Sequence, residues 1–108
     1  MDKKFFLPRE QLKRLIKPMG GCFATDRITV DGCKVGFMYR EVPDFREDSG
    51  WRFNAGDESD EYMDDPKNHA IYEVNTIANY DPAIIPHLDA PIGSEFERVG
   101  DELVLITP

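Results

Sequence analysis

A chain of 108 residues, 41% hydrophobic and 11% aromatic, is long enough to bury one core without disulfides or a structural metal, and too apolar to stay disordered. Its net charge of −8 excludes the basic footprint that nucleic-acid binding needs, and no apolar run approaches the roughly 18 residues of a membrane span. One domain over residues 1–108 is expected, and a cytoplasmic location with it, because the apolar stretch Phe5-Phe6-Leu7 stops at Pro8, too soon for a signal peptide.

In chain order, Leu7-Pro8-Arg9-Glu10 opens an expected short helix, with proline at a favoured first position. Leu12, Leu15, Ile16 and Met19 keep helical spacing, Arg9, Lys13, Arg14 and Lys17 lie on the exposed face, and Pro18-Met19-Gly20-Gly21 ends the run. Residues 1–20 therefore read as a helical extension docked on the domain. Cys22-Phe23-Ala24-Thr25 reads as a strand and Ile28-Thr29-Val30 as another or its continuation, with Asp31-Gly32 as a hairpin turn. Lys34 to Arg40 alternates, placing Val35, Phe37 and Tyr39 on one face and Gly36, Met38 and Arg40 on the other. Trp51-Arg52-Phe53-Asn54 is a third strand, ended by Gly56. A polar connection follows, with one helical turn around Tyr62 and Met63. Ala70 to Val74 is compatible with strand or helix. Asp81-Pro82 pairs a good N-cap with proline at N1 and starts a second helix with Ile84, Ile85 and Leu88 as its stripe. Ser94 to Val99 and Leu103 to Ile106 are strands about the turn Gly100-Asp101. The sum is an α+β fold: a mostly antiparallel sheet with two or three short helices packed on it.

Charge is uneven along the chain. Residues 1–18 carry six basic and two acidic side chains, whereas residues 44–65 carry nine acidic and two basic. Asp57, Glu58, Asp60, Glu61, Asp64 and Asp65 crowd together with no base among them. Carboxylates at this density suit a hard cation, yet the spacing does not match an EF-hand loop. A solvated loop or a surface for a basic protein partner are the other readings. Trp51, the single tryptophan, reads as core, with an interface anchor as the alternative. Arg40 is a candidate to clamp Asp48 or Asp57 across the sheet. Cys22 and Cys33 are expected to be reduced thiols. No G-x-S-x-G elbow, phosphate loop or metal spacing places His69, His87 or a serine in a catalytic role, so no enzyme, metal or cofactor is expected.

The ordered signature then becomes specific. Tyr39-Arg40-Glu41, Asp48-Ser49-Gly50-Trp51-Arg52-Phe53, Gly56-Asp57-Glu58 with Tyr62, Asn75 to Pro82, and Pro91 to Arg98 together resemble immunity protein family thirty-three, a bacterial domain. The resemblance spans about Gly21 to Arg98 and leaves the N-terminal segment and last strand outside. It implies membership of a polymorphic toxin system, in which an immunity protein binds and blocks a toxin made by the same cell. It implies no catalytic residues.

The motif residues Arg40, Asp48, Ser49, Gly50, Trp51 and Gly56 read equally well as structural: the glycines for backbone shape, the aromatics for the core, the aspartates for caps or ion pairs. Asp48 to Phe53 is expected to be a loop feeding a core strand, and so to belong to the fold. Gly56 to Asp65 is the expected partner surface, because its charge has no structural demand visible in the sequence. The competing functions are a housekeeping ligand- or protein-binding module and, further off, a carboxylate- or metal-dependent enzyme.

Overall fold

A computed structural model describes residues 3–106. Six strands form one sheet: β1 (Gly21–Thr25), β2 (Phe37–Arg40), β3 (Asp48–Asn54), β4 (His69–Glu73), β5 (Glu95–Val99) and β6 (Glu102–Leu105). Their order across the sheet is β4-β1-β3-β2-β5-β6. Every neighbouring pair is antiparallel except the interior β1–β3 pair, which is parallel. Three short α-helices accompany it, α1 (Asp26–Thr29), α2 (Asp60–Asp64) and α3 (Val74–Tyr80), together with 3₁₀ segments at Arg9–Gln11, Pro66–Asn68 and Pro82–His87. This is the α+β arrangement expected from the pattern. No helix among the described residues is long and apolar enough to cross a membrane.

The sheet has one packed face. Cys22, Ala24, Met38, Trp51, Phe53, Phe96 and Leu103 point to that side and meet Val74, Ile77 and Ala78 of α3 and Ile84 of the following 3₁₀ segment. Trp51 and Phe53 are fully buried, with ring centroids 6.0 Å apart. Each such side chain stabilises the fold by about 1.5–3 kcal/mol through burial alone. The tryptophan is therefore core, and its indole N–H donates to the Leu88 carbonyl at 3.1 Å.

Several local expectations need correction. The N-terminal helix is a single 3₁₀ turn; the chain beyond it runs without regular structure to Gly20. Its backbone groups are satisfied from α3 instead. Asn75 Oδ1 accepts from Leu15 N and Ile16 N and its amide donates to the Lys13 carbonyl, while Asn79 Oδ1 accepts from Lys13 N. A short isolated helix is marginal in water, and these partners favour the extended path. Ile28 to Val30 is not a strand. Asp26–Thr29 is helical, with Ile28 fully buried, and Asp31-Gly32 forms its C-terminal turn, where Gly32 N donates to the Ile28 carbonyl. Tertiary burial of Ile28 outweighs its β-branched preference.

The strand expected from Lys34 begins only at Phe37, so Val35 falls out of phase. Val35 is buried and Met38 faces the core, whereas Phe37 and Tyr39 are half-buried on the opposite face. Ala70 to Glu73 lies within β4, and the helix after it, α3, had only Val74, Ile77 and Ala78 at helical spacing to announce it. Asp81 is the expected N-cap, accepting from Ala83 N at 3.1 Å, but the helix it opens is 3₁₀. Cys22 is buried and Cys33 partly so, and both are free thiols. Burial pushes the Cys22 thiol far above its ordinary range.

Candidate functional site: a groove on the open sheet face

The Asp48-Ser49-Gly50-Trp51-Arg52 run builds an irregularity at the sheet centre. Gly21 of β1 pairs with Asp48 and Phe23 with Arg52, so β3 spends more residues than β1 over the same span. Ser49 mends the ladder: its hydroxyl donates to the Gly21 carbonyl at 2.6 Å and accepts from Trp51 N at 3.1 Å. Gly50 has φ +91, and a Cβ there would lie 2.2 Å from the Glu41 carbonyl oxygen. Only glycine fits both the left-handed backbone and that approach. Gly56 likewise ends β3's run with φ +100.

Asp48 is the knot of this bulge. Its carboxylate accepts from Asp44 N at 2.8 Å, Gly50 N at 2.9 Å, and the two terminal nitrogens of Arg52 at 2.9 and 2.7 Å. The Arg52 hydrogen bonds, against the opposing effect of burial and with help from the Asp44 and Gly50 amides, hold its carboxyl down at about 2. Burial works against the Arg52 charge, and the hydrogen bonds it donates to Asp48 and Glu41 overcome it. Arg40 is not the clamp. Its guanidinium donates to the carbonyls of Ser49, Leu88 and Ala90 and lies 5.6 Å from the Trp51 ring centre. Asp57 is held by Arg27, at 2.7 Å. Arg40 thus ties the loop before β5 to the sheet, and Arg52 does the ion pairing.

The sheet face opposite the core carries Phe23, Arg52, Asn54, Phe37 and Tyr39, and α2 lies along its margin. Two adjoining hollows, about 220 and 330 Å³, share Asn54 and Met63 and form one groove. At one end stand Phe23, Tyr39, Arg52 and His69, with Glu41 and Asp44 on the rim. At the other stand Phe37, Gly36 and Gly56, with Glu58 and Glu97. Arg52 stacks 4.6 Å above the Phe23 ring centre. It meets Asp48 at 2.7 Å, Glu41 at 2.6 Å and Asp44 at 3.8 Å. One guanidinium thus faces three carboxylates, which leaves an excess of negative charge at the mouth of an aromatic-walled groove. Burial, with the Glu41 carboxylate beside it, pushes the Tyr39 phenol up.

The acidic segment on the bank divides into two kinds of residue. Asp57 pairs with Arg27, Glu58 accepts from the Thr25 hydroxyl at 2.6 Å and from Ala55 N and Gly56 N at 2.8 Å, and Asp65 caps the Pro66–Asn68 turn through Lys67 N at 2.9 Å. That charge does meet structural demand, contrary to expectation. Asp60, Glu61 and Asp64 are exposed on α2, and their side chains make no hydrogen bond or ion pair among the described residues. Ser59 caps α2 through Tyr62 N at 3.1 Å, which aligns the helix so that Met63 lines the groove. Among the described residues no group of three or more His, Cys, Asp and Glu side chains is placed to hold a metal ion.

The sequence reading missed the groove walls. Phe23, Tyr39, Phe37, Glu41, Asp44, Asn54 and His69 come from separate strands and loops, and only the alternation of Phe37 and Tyr39 marked one wall in advance. Arg52 stood in the motif without being singled out.

Neither the curated proteins nor the solved structures contain a match to this chain. A family model described as the immunity protein Imm33 domain matches residues 22–105. The match takes in β6, which the resemblance read from the sequence had left out, and omits the N-terminal segment. With most of its length covered, including the bulge, the groove and every strand, the chain belongs to the immunity protein Imm33 domain family.

Proposed function

We propose that this protein binds a toxin made by the same cell and blocks it by steric occlusion, with the acid-rimmed groove and the α2 bank as its contact surface. The observation that carries this reading is the charge around Arg52: a groove with aromatic walls in which this cation is outnumbered by Asp48, Glu41 and Asp44. A surface of that kind is complementary to a basic protein segment. Aromatic side chains supply contact area at little entropic cost, and the carboxylates steer the encounter and fix its register. Asp60, Glu61 and Asp64 add steering charge that the fold itself does not use. Family membership supplies the class of partner.

This reading predicts a secreted toxin encoded beside this protein, and the test is calorimetric titration of the purified protein with it. A one-to-one complex is expected. The triple variant Asp60→Lys, Glu61→Lys, Asp64→Lys should bind at least about tenfold more weakly, chiefly through slower association, with a melting temperature close to that of the parent. Undiminished binding by the triple variant would remove α2 from the contact surface. Absence of any complex with the parent would refute the toxin-binding reading itself.

A further inference from the structure

A run of exposed apolar side chains lies at the sheet edge formed by β6, one strand beyond Glu97 at the groove's margin. Val99, Val104, Leu105 and Ile106 are 62%, 41%, 54% and 45% exposed, and Ile92 beside them is 54% exposed. Edge strands are ordinarily protected by lysine, proline, a bulge or a covering loop. Among the described residues β6, Glu102–Leu105, has none of these, and it carries one charge, Glu102. The opposite edge, β4, differs: it ends on Glu73, which is ion-paired to Arg14, and Phe5 packs on its Tyr72.

The hydrogen-bonding direction of β6 is fixed by its partner. Ile106 N donates to the Glu95 carbonyl at 2.9 Å, and Val104 lies opposite Glu97 and Glu102 opposite Val99. Alternation along an antiparallel pair turns the peptide groups of Ile106, Val104 and Glu102 toward β5 and those of Leu103 and Leu105 outward. No strand lies beyond β6 among the described residues.

We infer that this edge is a homodimer interface, in which β6 of a second copy pairs antiparallel with β6 about a two-fold axis at Val104. The strand is complementary to itself in that register and in chemistry. Leu103 meets Leu105 of the second copy and Leu105 meets Leu103, so both outward-facing peptide groups of each chain find partners in hydrogen-bonded pairs. Val104 faces Val104 across the axis in a non-hydrogen-bonded pair. Glu102 lies opposite Ile106 of the second copy, which sets the two Glu102 side chains four residues apart, about 13 Å at the usual rise of a strand. No like charges are brought face to face. An interface of this kind is isologous and closed, the commonest form of soluble oligomer. The self-matched apolar strand favours a second copy over a toxin strand, because nothing at this edge calls for a basic partner. The inference does not depend on the toxin-binding reading: the groove lies on strands inside the sheet, and the pairing leaves it open in both copies.

Sedimentation equilibrium on the whole protein is expected to show concentration-dependent assembly from 12.4 kDa to twice that mass. Val104→Lys should give a monomer over the same range while melting as the parent does. The register is tested by cross-linking. In a Cys33→Ser background, which leaves only the buried Cys22, Val104→Cys should oxidise to a covalent dimer, because residues across a non-hydrogen-bonded pair have Cα atoms about 4.5 Å apart, within disulfide reach. Glu102→Cys should not. A parent that stays monomeric, a Val104→Lys protein that still dimerises, or cross-linking through Glu102→Cys in place of Val104→Cys would each overturn the inference.

Discussion

Asp48 and Arg52 form the most deeply buried ion pair among the described residues. Both are buried, their contact is bidentate, and Asp48 also organises the Asp44 and Gly50 amides. A buried pair adds little beyond what apolar residues would, but removing one partner strands the other charge, at a cost of about 3–5 kcal/mol. Asp48→Asn should therefore destabilise the protein by about 3 kcal/mol near neutral pH. Because the Asp48 carboxyl is held at about 2 against an ordinary 3.8, its stabilisation is present above the ordinary value and is lost as pH falls through the folded one. The gap in unfolding free energy between Asp48→Asn and the parent should consequently narrow by about 2 kcal/mol between about pH 5 and pH 2. Denaturant unfolding at a series of pH values measures this directly, and a gap independent of pH would show that Asp48 is not held ionised by Arg52.

Elements that bury an alternating or helical stripe were legible in the sequence, and those decided by distant partners were not. β1, β5 and β6 follow their patterns closely, whereas β3 starts three residues before the expected Trp51, at Asp48, because the bulge brings Asp48 to Gly50 into the ladder. The N-terminal segment has helical spacing too, yet its backbone is taken by Asn75 and Asn79, more than fifty residues away. Composition does not disclose such a partner. The same segment seats Leu7, Ile16 and Met19 against the core. Asn75→Ala removes several of these bonds at once and leaves the part-buried Leu15 and Ile16 amides without their partner. It should destabilise the protein by about 2 kcal/mol and open residues 8–19 to protease before the sheet unfolds. Limited proteolysis with mass-spectrometric mapping checks this. Resistance equal to the parent would mean the apolar anchors alone hold the segment. The Asp48–Phe53 stretch was legible as part of the fold, but the division of labour between Arg40 and Arg52 was not. It depends on a register shift between β1 and β3, and pattern alone does not encode that shift.

Across the whole molecule, a net charge of −8 is spread so that one face of the sheet and the α2 bank carry acids around aromatic walls, while the other face is filled by the core. The acidic run was visible in the sequence as composition. Which of its members are free for a partner was not visible, because Asp57, Glu58 and Asp65 find their partners through the folded chain. The groove itself was invisible for a related reason: its walls belong to residues that only the sheet order brings together. Binding to a basic partner at such a surface should weaken as ionic strength rises, mostly through the association rate. The most direct test is hydrogen–deuterium exchange of this protein alone and with the toxin that the proposed function assigns to it. Slower exchange on binding is predicted for residues 37–44 and 59–65, with α3 and the Pro82–His87 segment unchanged. Protection confined to α3 and that segment, with the groove exchanging as freely as before, would contradict the account.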